Sequence, residues 1–397
     1  MGNKLFLTFN AGSSTIKIGV YEHLNAAIKQ VAFVRVNLHE HPISLEIQKG
    51  LETRQILLKA CLTEGLHEVI DELFGFFESE LLLDKLYAVG HRVVHGGDLF
   101  LGPVILDQKK MAALEGLIPL APLHQPQALF IIRAIESLRP YLKQTASFDT
   151  AFHQTQASAV RHYAIPEELF HAGIKRYGFH GLSYQYIQSY LSEAFPGLAN
   201  SKVIVAHLGS GASLCAMDHG MSQDSSMGFS TLSGVPMETR CGDIDASAVL
   251  YLAKEMGMGI EQIAHLLYQE SGLLGLSGES GNTRDLLMSN TPGAHLALDV
   301  FILRIAGEIG RMISTLNGLD ALVFTGGIGE NQAEIRSRIC ARLSWLGIEL
   351  DPTLNDQSPI SHQIVSSKAS KVKTLVIPTN EEDIIAKQLI NILHDRK

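Results

Sequence analysis

The sequence is poor in most of the features that mark specialised classes of protein. Its four cysteines, Cys61, Cys215, Cys241 and Cys340, lie far apart and form no CxxC pair. That excludes a disulfide framework or a zinc ribbon, and the four read as buried thiols in a reducing compartment. Basic charge is not in surplus: 32 Lys and Arg against 41 Asp and Glu give a formal net charge of −9, with no basic run. Binding to nucleic acid, or to an anionic membrane surface, is therefore not expected. Long apolar runs are missing too. The stretch from Leu5 to Phe9 meets a Gly/Ser turn almost at once, too short for a signal peptide or a membrane span, and a cytoplasmic protein is the expectation. Nowhere is there a Walker A string, so a bound nucleotide would not sit on a P-loop.

What is present describes an ordinary globular chain with ample apolar side chains, 46% hydrophobic and 18% charged over 397 residues. That length exceeds what one core usually supports, and two domains of somewhat under 200 residues are expected. One local pattern occurs twice. Residues 5–21, LFLTFNAGSSTIKIGVY, run from an apolar stretch through a Gly/Ser turn into an alternating stretch, and residues 203–217, VIVAHLGSGASLCAM, repeat the plan. Each is a β-hairpin signature, and two copies half a chain apart suggest a duplicated domain. A third glycine loop, ALVFTGGIGEN at 321–331, reads as a buried strand, a turn, and a helix starting near Gln332 or Ala333. Helical spacing over 125–139, 249–270 and 295–316, alternating with these strands, gives an α/β class.

In a glycine turn, successive N–H groups and hydroxyls can face phosphate oxygens. Asn10, Ser13, Ser14, Thr15 and Lys17 in the first loop and Ser210, Gly211 and Ser213 in the second are suitable types. A single such hairpin is most simply a tight turn; three together favour phosphate binding. Beside them lies a set of His, Arg and Asp residues: His91, Arg92 and His95 in AVGHRVVHGG, His124 in APLHQP, Asp149 in SFDTAFH, His180 in RYGFHGLS, and Arg240, Asp243 and Asp245 in METRCGDID. Asp149 stands at the end of an apolar patch, a usual place for a site residue at a strand terminus. Isolated histidines such as His23, His67 and His162 are given no role. HxxxH at His91 and His95 is a poor zinc site, and Asp243 and Asp245 are explained more simply as turn or cap residues.

NAGSSTIK, GHRVVHGG, APLHQP, FDTAFH, YGFHG, AHLGSG, TRCGDID, SGLLGLSG, FTGGIGEN and PTNEE follow one another end to end. In that order they resemble the acetate and butyrate kinase family of the actin, Hsp70 and sugar kinase superfamily. The resemblance implies two RNase-H-like domains around a central cleft: residues 1–149, with the C-terminal helix 381–397 packing back on them, and residues 150–380. It implies a homodimer that transfers a phosphoryl group reversibly between ATP and acetate, giving acetyl phosphate and ADP, with Mg²⁺ or, alternatively, Mn²⁺. By position, Asn10 and Glu381 match the magnesium-associated pair. Arg92, Arg240, Asp149, His180 and His124 match the catalytic residues. Ser13, Thr15, Lys17, His207, Leu208, Gly209, Ser210, Gly211, Asn282, Thr283, Arg284, Gly326, Gly327, Ile328, Gly329 and Glu330 match the nucleotide loops. Val94, Leu123, Phe179 and Thr231, with Arg92, match the acyl pocket. Four positions depart from the family pattern: Ser210 stands for Asn, Thr231 for Pro, Glu238 for Gly and Asn282 for Asp. Propionate or butyrate as acceptor stays open, as does, further off, a chaperone-like ATPase of the same superfamily.

Overall fold

A strand whose successive residues are apolar must be covered on both faces, and Leu5 to Phe9, with only the buried Thr8 polar among them, is such a strand. The protein is described by a computed structural model covering residues 4–12, 15–24, 27–38, 40, 42–60, 66–81, 86–357 and 361–394. The chain divides into two compact units, residues 1–152 with 380–397, and residues 153–379.

The first unit holds β1 (Lys4–Ala11), β2 (Thr15–Leu24), β3 (Ala27–Asn37), β4 (Ser44–Lys49), β5 (Glu52–Leu57), β6 (Leu86–Val93), β7 (Val104–Ile105) and β8 (Lys143–Phe148). They form one sheet in the order β5-β4-β3-β2-β1-β6-β8-β7. Leu5, Leu7 and Phe9 face a core that includes Ile70 and Phe74 of the helix Leu66–Leu81 and Ile131 and Ile135 of the helix Gln125–Leu138. On the opposite face Phe6 packs with Ala386, Leu389 and Ile390 of the helix Glu381–His394.

In the second unit, β9 (Lys202–Leu208), β10 (Ala212–Asp218), β11 (Met221–Ser225), β12 (Ala321–Thr325), β13 (Gln363–Ile364) and β14 (Lys373–Val376) form a sheet in the order β11-β10-β9-β12-β14-β13. The duplication read from the sequence is visible in the pairing. β1, β2 and β3 form an antiparallel meander, with β6 parallel to β1 and β8 parallel to β6. β9, β10, β11, β12 and β14 repeat those relations. Both units are thus α/β and RNase-H-like. Short turns suffice for the antiparallel pairs, whereas each parallel step needs a long crossover, and helices such as Leu66–Leu81, Gln125–Leu138 and Pro292–Leu316 lie in those crossovers.

Two expectations need correction. The stretch 249–270 is not one helix but two, Ala246–Lys254 and Ile260–Gln269. Gly257, at φ +67, and Gly259, at the second N-cap, interrupt it. The third glycine loop turns helical at Gly326, in the helix Gly326–Asn331, before a second helix at Ala333–Arg342. Its glycines suggested a turn, but the Glu330 carboxylate accepts from the Gly326 N–H at 2.8 Å and holds the first turn of helix closed. Of the cysteines, Cys215 and Cys340 are buried and Cys241 is only partly so; Cys61 lies outside the described residues. Among the described residues no helix is long and apolar enough to cross a membrane.

Candidate active site

Neighbouring parallel strands deliver their C-terminal residues to the same sheet edge, and β6 and β8 do so with Arg92 and Asp149. Arg92 pairs with Ser147 across the two strands, and Asp149 follows β8 directly. The Arg92 guanidinium donates from Nε to Asp149 Oδ1 and Oδ2 at 3.0 and 3.2 Å and from Nη2 to Oδ2 at 2.6 Å. Its Nη1 donates to Asn10 Oδ1 at 3.0 Å. Asn10, at the end of β1, turns its amide N–H groups to Glu381 Oε2 at 2.8 Å and Glu382 Oε1 at 2.9 Å. Strand ends and a helix start therefore bring Asn10, Arg92, Asp149 and Glu381 into one constellation.

Its electrostatics follow from burial. The Asp149 side chain is 1% exposed and that of Arg92 14%. Burial opposes the charge on Arg92, yet the Asp149 and Glu381 carboxylates outweigh it and hold the guanidinium pKa above its ordinary value. Burial, reinforced by Glu381, pushes the Glu382 carboxyl up, with Lys17 working against it. Lys17 is exposed on β2, opposite Asn10 in register. Glu382 was missed in the sequence. The signal was the doubled acid of PTNEE, but adjacent helical residues point about 100° apart, so one partner for Asn10 was the natural expectation.

No group of three or more His, Cys, Asp or Glu that could hold a metal occurs among the described residues. Mg²⁺ does not ask for one, since it takes one or two carboxylates and completes its shell with water and phosphate. Glu381 and Asn10 carry the hard oxygens such an ion takes, with Glu381 Oε2 facing the Asn10 amide N–H and Asn10 Oδ1 facing Arg92. His91 and His95 serve the fold instead. His91 is buried, with Nε2 2.7 Å from Gln144 Oε1, and His95 Nδ1 accepts from the Gly97 N–H at 3.0 Å. Burial lowers both to about 4, so they are neutral at physiological pH. His124 stands at the N-cap of the helix Gln125–Leu138. In the first loop the Gly12 N–H donates to the Thr15 carbonyl, while Ser13 and Ser14 lie outside the described residues.

In the second unit the β9–β10 turn closes on itself, the Gly209 N–H donating to the Gly211 carbonyl. His180, His207 and Arg240 gather around it. A Cβ at Gly211 would lie 3.5 Å from His180 Nε2 and 3.8 Å from Arg240 Nη1. The rings of His180 and His207 stack at 4.4 Å. Each Nδ1 is 2.8 Å from a serine hydroxyl, Ser213 for His180 and Ser183 for His207. Arg240 Nη1 donates to the Thr231 carbonyl at 3.0 Å. Position 231, expected to matter through its side chain, thus also fixes an arginine through its backbone.

A cavity of about 170 Å³ is lined by Gly209, Ser210, Glu238, Gly281, Asn282, Thr283 and Ile328. It brings together residues of the predicted nucleotide loops 207–211, 282–284 and 326–330, but none of the first loop with Ser13, Thr15 and Lys17. Asn282 caps the helix Thr283–Met288 by accepting from the Arg284 N–H, a task Asp performs equally well. The Glu238 N–H donates to the Ser210 carbonyl, and Gly281 leaves room for the Glu238 side chain. Glu330 is spent on the loop backbone, accepting from the N–H groups of Gly326 and Thr379. Asp243 and Asp245 are turn and cap residues, accepting from the N–H groups of Gly234 and Ser247. Of the residues expected to receive an acyl group, Val94, Phe179 and Thr231 are buried and Leu123 is exposed.

This arrangement has close relatives. The chain is 42% identical to the acetate kinase of Rickettsia akari over 98% of its own length and 99% of the relative's. Among solved structures, a propionate kinase from Francisella tularensis matches with a TM-score of 0.89 and 35% identity, covering 97% of this chain and 98% of that one. The acetate kinase of Porphyromonas gingivalis matches at 0.86 and 33%, covering 98% and 100%. The acetokinase family model matches residues 5–387. With the family model and the relatives matching over nearly its whole length, the chain belongs to the acetokinase family.

Proposed function

We propose that the protein transfers a phosphoryl group reversibly between ATP and a short carboxylate, with acetate as the first acceptor, giving acetyl phosphate and ADP. The observation that carries this reading is the immobilised guanidinium of Arg92. Arginine has five N–H donors, and the bonds to Asp149 and Asn10 engage three of them. Two donors are left to hold an anion, in a protein whose overall charge would otherwise repel one.

A carboxylic acid with a pKa of about 4 is ionised at neutral pH, so the acceptor needs no general base. The obstacle is charge, because an anion must approach a γ-phosphoryl group whose transition state spreads negative charge over its equatorial oxygens. In this reading Arg92, Arg240 and His180 act on that group by donating to it and keeping the reactants in line. Asp149 then orients Arg92 rather than removing a proton. The turns at Gly209–Gly211 and Gly326–Gly329, with Asn282, Thr283 and Arg284, receive the nucleotide, and Lys17 and Thr15 serve its phosphates. Asn10 and Glu381 would hold Mg²⁺ (or Mn²⁺), which when bound supplies charge neutralisation at the phosphates. Val94, Leu123, Phe179 and Thr231 receive the acyl group, and His124 is, with His180, one of two catalytic histidines. The reading carries with it the domains at 1–149 with 381–397 and at 150–380 and the homodimer that the family resemblance implies, and the cytoplasmic location expected from the short apolar run at Leu5 to Phe9.

Hydroxylamine trapping of acyl phosphate across acetate, propionate and butyrate tests it. Acetyl hydroxamate should form, with propionate used less efficiently, since one methylene is worth about 1–3 kcal/mol of discrimination. ATP hydrolysis without hydroxamate would overturn the reading in favour of a conformational ATPase, and a clear preference for butyrate would overturn acetate as the acceptor.

A further inference from the structure

We infer that His153, which the scheme above does not use, is a positioning residue that fixes the Phe179–His180 peptide and through it the His180 ring. The inference rests on the proposed roles of Phe179 and His180. His153 is 1% exposed, in the short helical turn Ala151–Thr155. Its Nε2 lies 2.9 Å from the Phe179 carbonyl oxygen and its Nδ1 2.9 Å from Ser222 Oγ. A carbonyl only accepts, so its partners assign the proton to Nε2 and Nδ1 must accept.

The surroundings of Ser222 enforce the same tautomer. Gln156 Nε2 and Cys215 Sγ both donate to Ser222 Oγ, at 3.2 and 3.5 Å. Gln156 Nε2 also lies 3.5 Å from His153 Nδ1, a donor that only an accepting Nδ1 can receive, so the serine and the amide both face the unprotonated nitrogen. Burial keeps the ring neutral, its pKa lowered to about 4.

The ring also sets the backbone it holds. A Cβ on Gly178 would lie 2.5 Å from His153 Cγ, and Gly178 has φ +80. Two residues on, His180 is left-handed at φ 56, unusual for a residue with a side chain. φ at His180 is measured from the Phe179–His180 peptide plane, and His153 grips that plane by its carbonyl. On the other side the helix Gly181–Ala194 fixes the chain, the Tyr184 N–H donating to the His180 carbonyl. Held from both sides, the side chain keeps Nδ1 on Ser213 and Nε2 toward Gly211. If the carbonyl grip is lost, the left-handed residue can relax, and both the Phe179 side chain and the His180 ring turn away.

The test uses the full chain with His153→Phe, His153→Gln and Ser222→Ala, folding being checked by circular dichroism and thermal unfolding. Kinetics come from hydroxamate trapping, and the imidazole NMR signals of His180 give a readout independent of turnover. His153→Phe should lower kcat about 10- to 100-fold and shift the His180 signals, with KM for ATP within about twofold, because a misplacement of about 1 Å costs on that order. His153→Gln, whose amide can donate to Phe179 and accept from Ser222, should recover kcat to within about fivefold of wild type, and Ser222→Ala should fall between the two. A folded His153→Phe with kcat within about twofold of wild type and unmoved His180 signals overturns the inference, as does a His153→Gln variant as impaired as His153→Phe. If His153→Phe does not fold, unchanged kcat and unmoved His180 signals in Ser222→Ala overturn it. Wild-type protein that forms no hydroxamate refutes the proposed reaction instead, and the NMR comparison still decides the positioning.

Discussion

Replacing Arg92 separates what the ion pair does for the fold from what it does for the chemistry. Asp149 is almost fully buried and receives its Arg92 hydrogen bonds from a single guanidinium. Arg92→Ala leaves that carboxylate in a dry site without its cation, which typically costs about 3–5 kcal/mol. Removing both partners in Arg92→Ala/Asp149→Ala removes the uncompensated charge as well. The double variant should therefore be more stable than Arg92→Ala alone, by about 1–3 kcal/mol. Arg92→Lys keeps the charge but loses the planar fork that spans Asp149 and Asn10, and should sit between wild type and Arg92→Ala in stability. In turnover no such recovery is expected: all three variants should lose about 10²-fold or more in kcat, the usual effect of losing one charge-stabilising donor. Stability must be read in the first unit. The single tryptophan, Trp345, belongs to the second, so hydrogen exchange at the β1, β6 and β8 amides is the appropriate measurement. Near-normal kcat in Arg92→Ala would remove Arg92 from the mechanism, and a double variant less stable than Arg92→Ala would refute the buried-charge reasoning.

Acid should weaken both units through their buried histidines. His91 and His95 in the first unit and His153 in the second each have a folded pKa lowered to about 4. The unfolded chain, titrating near 6.5, binds more protons below that pH, so the stability these groups allow is complete above about pH 6.5 and is lost as pH falls toward 4. Each should cost about 2 kcal/mol at pH 5 relative to pH 8, and urea unfolding that is as stable at pH 5 as at pH 8 would contradict the assignment of neutral buried rings. Gly326→Ala should disrupt the third glycine loop: at φ +78 its Cβ would fall 2.7 Å from the Leu208 carbonyl oxygen, a backbone atom that cannot step aside. Such strain at a left-handed position costs on the order of 1–3 kcal/mol, and equilibrium dialysis should show nucleotide binding weakened about tenfold or more; undiminished binding would take this loop out of the nucleotide site.

How far the sequence could be read depended on the range of the interaction involved. The hairpins β1–β2 and β9–β10 were legible because a turn's glycines and the period-2 alternation on either side are local properties. Their recurrence gave the duplication, and the ordered motifs gave the family. The same local reading misjudged 249–270, where apolar spacing continues across Gly257 and Gly259 but the helix does not, and Gly326, where the Glu330 carboxylate makes a helix of what glycine composition suggested was a turn.

Which partner each site residue takes was settled only by tertiary structure. Nothing local pairs Asn10 with Glu381 and Glu382, 371 and 372 residues away, or turns His91 to Gln144 rather than to His95. His153 stood inside the quoted motif FDTAFH, yet its hold on Phe179 depends on a carbonyl 26 residues on and a hydroxyl 69 residues on. A buried donor or acceptor must find a partner or lose about 1–3 kcal/mol. The sequence by itself therefore determined the strands, the turns and the residue types able to handle phosphate and carboxylate, while the packing of distant strand ends and helix starts decided which of them meet, because burial makes every unmet polar group costly.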